Sequence, residues 1–378
     1  MSNPPGHRPA VRELRLLPIR ERAMTTGSLA GKVQTVLGPV SPDELGVTMM
    51  HEHVLSDLSK QYGTMETASA RGFFETPVSI EILSRIRHYD APNADNARLF
   101  DLDTAIEEVA LYKRHGGGTI VELTSRGIAR DPRGLAQVAR ATGVNLVMGA
   151  SYYVAATHPA DMAERSEEQI AEEVISDVTQ GVGGTGVRSG IIGEIGCTWP
   201  LAEHEHRVLR ASARAQRATG AALSIHPGRD EKAPMEIIEI LDSAGADIGR
   251  IVMGHLDRTV FTHETLREIA QAGCYLEWDL FGIEESHYHL NPKVDMPSDA
   301  KRMNDIAWLL SQDYGRKVVV SHDVSVKSRL EKYGGHGYSY IAERIAPRML
   351  QRGYTEQEVE RILVGNPRDV LTLAEPRA

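Results

Sequence analysis

Apolar residues recur along this chain in eight short runs: "GVTMMHEH", "GTIVELTS", "NLVMGASYY", "SGIIGEIG", "AALSIHPG", "RIVMGHLD", "GCYLEWDL" and "KVVVSHD". Several are near-continuous Val, Ile and Leu, the pattern of parallel strands covered on both faces. Between them lie stretches with helical spacing. "TAIEEVALYKRHG" places Ile106, Val109, Ala110 and Tyr112 on one side and then stops at a glycine. "EHEHRVLRASARAQRATG" does the same with Val208, Leu209, Ala211, Ala215 and Ala218 before Gly220. "APMEIIEILDSAG" and "HETLREIAQAG" repeat the helix-then-glycine form. The last segment, "TEQEVERILVGNPRDVLTL", opens with a Thr-X-X-Glu cap.

Eight strands alternating with helices predict an α/β fold, a (β/α)8 TIM barrel. A doubly wound open sheet is the rival. It would carry a glycine-rich phosphate loop after an early strand, and no early strand is followed by one. "GVGGTGVRSG", from Gly181 to Gly190, follows a helix and precedes a strand, so it reads as a connecting loop. Two insertions, Leu58 to Asp101 and Ser286 to Ser298, follow the first and seventh strands and are expected at the mouth of the barrel. One catalytic domain is expected over residues 32–378. Residues 1–31 are rich in Pro and Arg without the apolar core of a signal peptide, and read as a disordered extension with Met24 as an alternative start.

Composition narrows the partners. Net charge is -10 over 378 residues, which argues against nucleic acid. No apolar stretch reaches the roughly 18 residues of a membrane span. Two cysteines, Cys197 and Cys274, lie in separate segments and form neither a disulfide framework nor a Cys zinc site, so the cytoplasm is the expected compartment. A small molecule is the expected partner, and a homodimer the expected assembly. Histidine, at 15 residues, is the compositional feature to follow.

His-X-His occurs three times, at His51/His53, His204/His206 and His287/His289. In a strand, residues two apart point to the same side. In a helix they diverge by roughly 200°. His51 and His53 close an apolar run and can both aim into a barrel mouth. His204 and His206 open an Arg/Ala-rich helix and read as a solvated face. His287 and His289 lie in a polar, aromatic loop and read as pocket lining rather than rigid ligands.

Further candidates sit at strand ends, where a barrel holds its chemistry. They are His226 after "AALSI", His255 after "RIVMG" and Asp323 after "KVVVSH". Glu194 adds an acid inside the apolar "GIIGEIG", and an unpaired buried carboxylate is costly. Four imidazoles and two carboxylates suit Zn2+, with Co2+ or Mn2+ as substitutes. That is too many ligands for one catalytic zinc and enough for two metal ions sharing a carboxylate and a hydroxide. "VSHD" does not read as a Ser-His-Asp triad, because His322 points away from its strand neighbours. It reads as packing between strand and helix, and Cys197 as an apolar filler.

This combination resembles the amidohydrolase superfamily and, within it, the phosphotriesterase family. "GIIGEIGCTWPL", "IHPGRD", "GHLDRT", "GCYLEWDLFG", "DMPSD" and "KYGGHGYSYI" resemble its phosphotriesterase-related branch, over roughly Lys32 to Leu373. The resemblance implies a binuclear centre. His51, His53 and Asp323 would hold the buried ion, His226 and His255 the more exposed one, and Glu194 would bridge where the phosphotriesterases have a carboxylated lysine. In animal members of the branch the activity is hydrolysis of N-acetylated amines, N-acetyltaurine among them.

The expected reaction is hydrolysis of an amide or ester bond by a metal-bridging hydroxide, with Asp323 as proton acceptor and donor. Arg258 and Arg229, three residues past His255 and His226, are candidates for an anionic group on the substrate, such as an N-acyl amine or N-acyl amino acid. Each has a plain alternative, an ion pair with Asp257 or Asp230. Tyr152, Tyr153, Trp199 and Phe281 could form an apolar wall, with Tyr153 preferred beside the metals. The alternative activities are lactonase or phosphotriesterase, and a non-catalytic ligand-binding protein on the same barrel.

Overall fold

The computed structural model describes residues 29–89, 91–285, 288 and 290–377. Most of the N-terminal extension, together with His287 and His289, lies outside the described residues. Eight strands form the barrel: β1 (Val47–Glu52), β2 (Gly117–Glu122), β3 (Asn145–Met148), β4 (Ile192–Gly196), β5 (Leu223–His226), β6 (Ile251–Met253), β7 (Tyr275–Trp278) and β8 (Val318–Val320). β1, β2 and β3 pair in parallel in that order, and so do β4 through β8.

Backbone bonds at two seams close the ring. Gly190 N and Gly193 N donate to Met148 O and Ala150 O, at 2.9 and 2.7 Å, between β3 and β4. Asp323 N donates to His51 O, and His53 N to Val324 O, both at 3.1 Å, between β8 and β1.

The period of two along each strand sorts the core into layers. Met50, Val121, Val147, Val252 and Val319 pack together inside the barrel, with Val33 and Leu45. Their chain neighbours Met49, Ile120, Leu146, Ile251 and Val318 pack outward, against helices such as Leu102–Arg114, Pro132–Thr142 and Glu203–Thr219. Those helices start and stop where local chemistry dictates. Asp101 and Asp131 accept amide hydrogens of the first turn, and Gly220 ends its helix in the left-handed conformation that a side chain resists.

Two irregularities shape the mouth of the barrel. The β1–β2 register shifts between Met49 and Glu52, and the β4–β5 register between Ile192 and Ile195. Ile192 and Ile195 both pack outward although three residues apart, so the extra residue turns Glu194 inward. Bulges do this beside active sites. The one in β4 needs glycine: a Cβ on Gly193 would lie 2.3 Å from Ser224 O.

The first insertion carries helices Ala68–Phe74 and Ile80–Tyr89. It packs on the loop after β8, where Lys327 N donates to Asn96 O (2.8 Å) and Arg87 Nη2 to Ser328 O (2.7 Å). In the loop after β7, Leu280, Ile283, Tyr288 and Met296 form a small apolar group of their own.

Candidate metal centre

Glu194 sits among the four imidazoles. Its Oε1 lies 3.2 Å from His53 Nε2. Its Oε2 lies 2.7 Å from His226 Nδ1, 3.5 Å from His51 Nε2 and 3.6 Å from His255 Nε2. Asp323 Oδ1 completes one side, 3.4 Å from His53 Nε2. The structure thus brings together all six residues that the sequence placed at strand ends or inside β4. His51, His53 and Asp323 offer ligand atoms within 4.8 Å of one another, and so do His51, Glu194 and His255.

Backbone geometry aims two of them. His255 and Asp323 follow their strands with φ of 53° and 50°, a left-handed conformation uncommon for non-glycine residues. Asp279 holds His255 there, since Oδ2 accepts its amide N–H and Oδ1 faces its Nδ1, both at 2.7 Å.

The donor set fits divalent cations. His226 Nδ1 and His255 Nε2 face each other at 2.8 Å, both toward Glu194. Among the described residues, neither ring nitrogen of His51 has a hydrogen-bond partner, although the residue is fully buried. Burial pulls His51 and His53 toward neutrality, yet nearby carboxylates reverse this, raising His51 well above its ordinary value and His53 to about 10. The same attraction, chiefly from His51 and His226, offsets burial and holds Glu194 well below the usual carboxylate range. His226 goes the other way, pushed down by burial and by His255. A cation would satisfy both these carboxylates and the inward lone pairs.

Four further buried residues were not anticipated. Asp279 and Glu277, alternate residues of the β7 run, reach His51 Nδ1 at 3.3 and 3.5 Å. Burial pushes Glu277 up to about 7. Glu122, at the end of β2, accepts from Thr124 Oγ1 (2.5 Å), which in turn meets His53 Nδ1 (2.9 Å). Partners of this kind orient imidazoles and fix their tautomers where a metal is bound.

Both arginines lie at the site, and neither makes its alternative ion pair. Asp257 binds Arg302 at 2.8 Å, and Asp230 accepts from Lys232 N at 3.0 Å. Arg258, 3 % exposed, donates to Thr259 Oγ1 (3.0 Å) and Pro227 O (3.1 Å), and meets His226 Nε2 at 3.2 Å. Arg229 Nε donates to Tyr288 Oη at 2.6 Å. Among the described residues, no carboxylate lies within ion-pair distance of either guanidinium. Burial pushes Arg258 below its ordinary range.

The aromatic wall needs correcting. Tyr153 packs its ring 5.0 Å from that of His226. Tyr152, one residue earlier, points the opposite way and donates to Glu173. Phe281 is buried beneath Arg302. Trp199 is half-buried in the loop beside Gly228. His322 is held between Glu52 and Ile341 N, at 2.6 and 2.9 Å. Cys197 is buried, which raises its thiol well above the ordinary range.

Residues 31–371 match the sequence model of the phosphotriesterase family. An N-acetyltaurine hydrolase of Xenopus tropicalis is 46% identical over 346 residues, which is 91% of this chain and 99% of that one. A phosphotriesterase-related protein of Nematostella vectensis is 44% identical over the same shares. The crystal structure of a resiniferatoxin-binding protein from Rhodobacter sphaeroides superposes with a TM-score of 0.86 at 35% identity, covering 92% of this chain and 98% of that one. The chain belongs to the phosphotriesterase family and is a hydrolase.

Proposed function

We propose that this hydrolase cleaves the amide bond of an N-acyl amine bearing an anionic group, using two divalent ions, zinc by preference, held by His51, His53, Glu194, His226, His255 and Asp323. One observation carries the substrate reading. Arg258 and Arg229 lie together at the site, more than half buried, without a carboxylate counter-ion among the described residues. A buried cation without a partner is costly, and an anionic substrate supplies the partner. The relatives named N-acetyltaurine hydrolases act, by their name, on an N-acyl amine that ends in a sulfonate. An uncharged lactone or phosphotriester would leave both guanidiniums unmatched.

Two divalent ions bound there would supply Lewis acidity, toward a water and toward the acyl carbonyl. The protein does the rest. Arg258 and Arg229 hold the anionic end and fix which carbonyl reaches the site. Tyr153 covers the His226 side and keeps bulk water from it. Asp323 Oδ1 accepts the proton lost by the attacking water and delivers it to the leaving nitrogen, which departs as a neutral amine. Arg329 Nη1, 3.5 Å from Asp323 Oδ2, steadies the carboxylate between the two transfers. Two buried thiols without a disulfide, Cys197 and Cys274, support a reducing compartment such as the cytoplasm.

The test is kcat/KM across anionic N-acyl amines, lactones and phosphotriesters, with metal content measured on the same sample. Anionic N-acyl amines should be turned over fastest. Arg258→Met should cost about 2 kcal/mol, roughly thirtyfold in kcat/KM, on those substrates alone. Faster turnover of lactones or phosphotriesters would overturn the reading.

A further inference from the structure

The outer ring nitrogens of the four imidazoles have different neighbours. His53 Nδ1 meets Thr124 Oγ1, which spends its own hydrogen on Glu122 and so can accept. His255 Nδ1 meets Asp279 Oδ1 at 2.7 Å, and His51 Nδ1 faces Asp279 Oδ2 at 3.3 Å. His53 and His255 thus each have an acceptor for the N–H, and His51 Nδ1 faces a carboxylate. His226 is the exception. Its inner Nδ1 faces Glu194, and its outer Nε2 meets Arg258 Nη2 at 3.2 Å. A guanidinium has donors only.

The contact is attractive only while Nε2 keeps its lone pair, with the His226 hydrogen on Nδ1 and directed at Glu194. A neutral imidazole has one N–H. When a cation takes the Nδ1 lone pair, the hydrogen resides on Nε2, and donor then faces donor. Among the described residues the arrangement lacks an acceptor, and Arg229, with no carboxylate within ion-pair distance, stands beside it.

We infer that His226 couples the metal centre to an anion site: with Nδ1 given to a metal ion, its Nε2–H joins Arg258 and Arg229 as a donor-only cluster that takes an anionic oxygen of the substrate. The inference rests on the reading of the substrate as anionic and adds what that reading lacks, a dependence of anion binding on metal. Loading the metal releases Arg258 from His226 and builds the anion site in one step. By linkage the reverse holds, and the anion tightens the metal by the same factor. The enzyme thereby discriminates against anions while it lacks its exposed metal ion.

The experiment uses the zinc-loaded enzyme. Zinc affinity is measured by chelator competition with and without saturating methanesulfonate, and in a separate series acetate, for wild type and Arg258→Met. Inhibition of N-acetyltaurine hydrolysis by the same anions is read in parallel. Methanesulfonate or acetate should tighten one zinc of the wild type about tenfold, within the usual range of site-to-site coupling, and Arg258→Met should abolish the effect. Should Arg258→Met fail to fold, Arg258→Lys replaces it, since an ammonium cannot span two partners as the planar fork does. Inhibition without any change in zinc affinity would overturn the coupling and leave the anionic-substrate reading standing. Neither inhibition nor a zinc effect with either anion would overturn both. A zinc effect that persists in the Arg258 variant would put the anion on the metal itself and overturn the coupling.

Discussion

The letters His-Glu-His occur at residues 51–53 and again at 204–206. In both places the glutamate does the same work. Glu52 is fully buried and accepts from Ser321 Oγ, His322 N, His322 Nδ1 and Val324 N at 2.6–3.0 Å. Glu205 is fully buried and accepts from Ala155 N, Thr198 N, Thr198 Oγ1 and Ala202 N at 2.7–3.0 Å. Each carboxylate ties loops to an element and satisfies amides that would otherwise be stranded. The histidines part company. At the end of β1 and just past it, His51 and His53 turn to one site, with ring centroids 5.6 Å apart. On the helix Glu203–Thr219 they diverge, and His204 packs on His158 at 4.9 Å instead. Secondary structure, not sequence, decides which pair can share a ligand.

Substitution should separate the two triplets most sharply at the histidines. His51→Ala or His53→Ala should remove metal and lower kcat/KM by more than the roughly 10–100-fold typical of outer-sphere changes. His204→Ala and His206→Ala should leave metal content and kcat/KM unchanged, as read by metal analysis and steady-state kinetics. The glutamates should behave alike in stability. Glu205→Ala strands four donors and should cost about 3 kcal/mol or more in denaturant unfolding, with metal content intact. Glu52→Ala should cost as much and also loosen the metal, because Glu52 holds the backbone on both sides of Asp323.

The smallest effect concerns a histidine of a third kind, partly buried and apart from the site. Burial, then His322, hold His336 down to about 3 in the folded chain, against 6.5 when unperturbed. Between those values the unfolded chain binds the extra proton. Stability is therefore lost as pH falls from about 6.5 toward 3. His336→Phe removes that contribution. Its unfolding free energy should fall less than that of the wild type on acidification, by roughly 2 kcal/mol at pH 5.

Much of the barrel and its centre is legible in the sequence. Near-continuous apolar runs such as "KVVVS" mark buried parallel strands, and six ligand-type residues at strand ends or inside β4 converge in the fold. Asp279 and Glu277 carry the same signal as Glu194, acids at alternate positions of an apolar run. Glu122 in "TIVELTS" carries a similar one. Other features had no local signal. Asp257 prefers Arg302, 45 residues away, over the adjacent Arg258, and only tertiary packing sets that choice. Tyr152 and Tyr153 point oppositely, and the sequence alone does not say which faces inward. The bulges in β1 and β4 re-aim His51 and Glu194, and an alternation rule cannot foresee an extra residue.

The seam between β8 and β1 has a consequence for how the protein comes into being. His51 O receives Asp323 N there, and Glu52 gathers donors from Ser321 through Val324. The residues that zip the first strand to the last are the neighbours of those proposed to hold the buried ion. During synthesis His51 and His53 emerge early and wait for most of the chain before Asp323 arrives. Contacts this distant in sequence are the slow ones to form. If these residues hold that ion, its capture is a late event that coincides with closure of the barrel, and a chain that has bound it has already joined its first strand to its last.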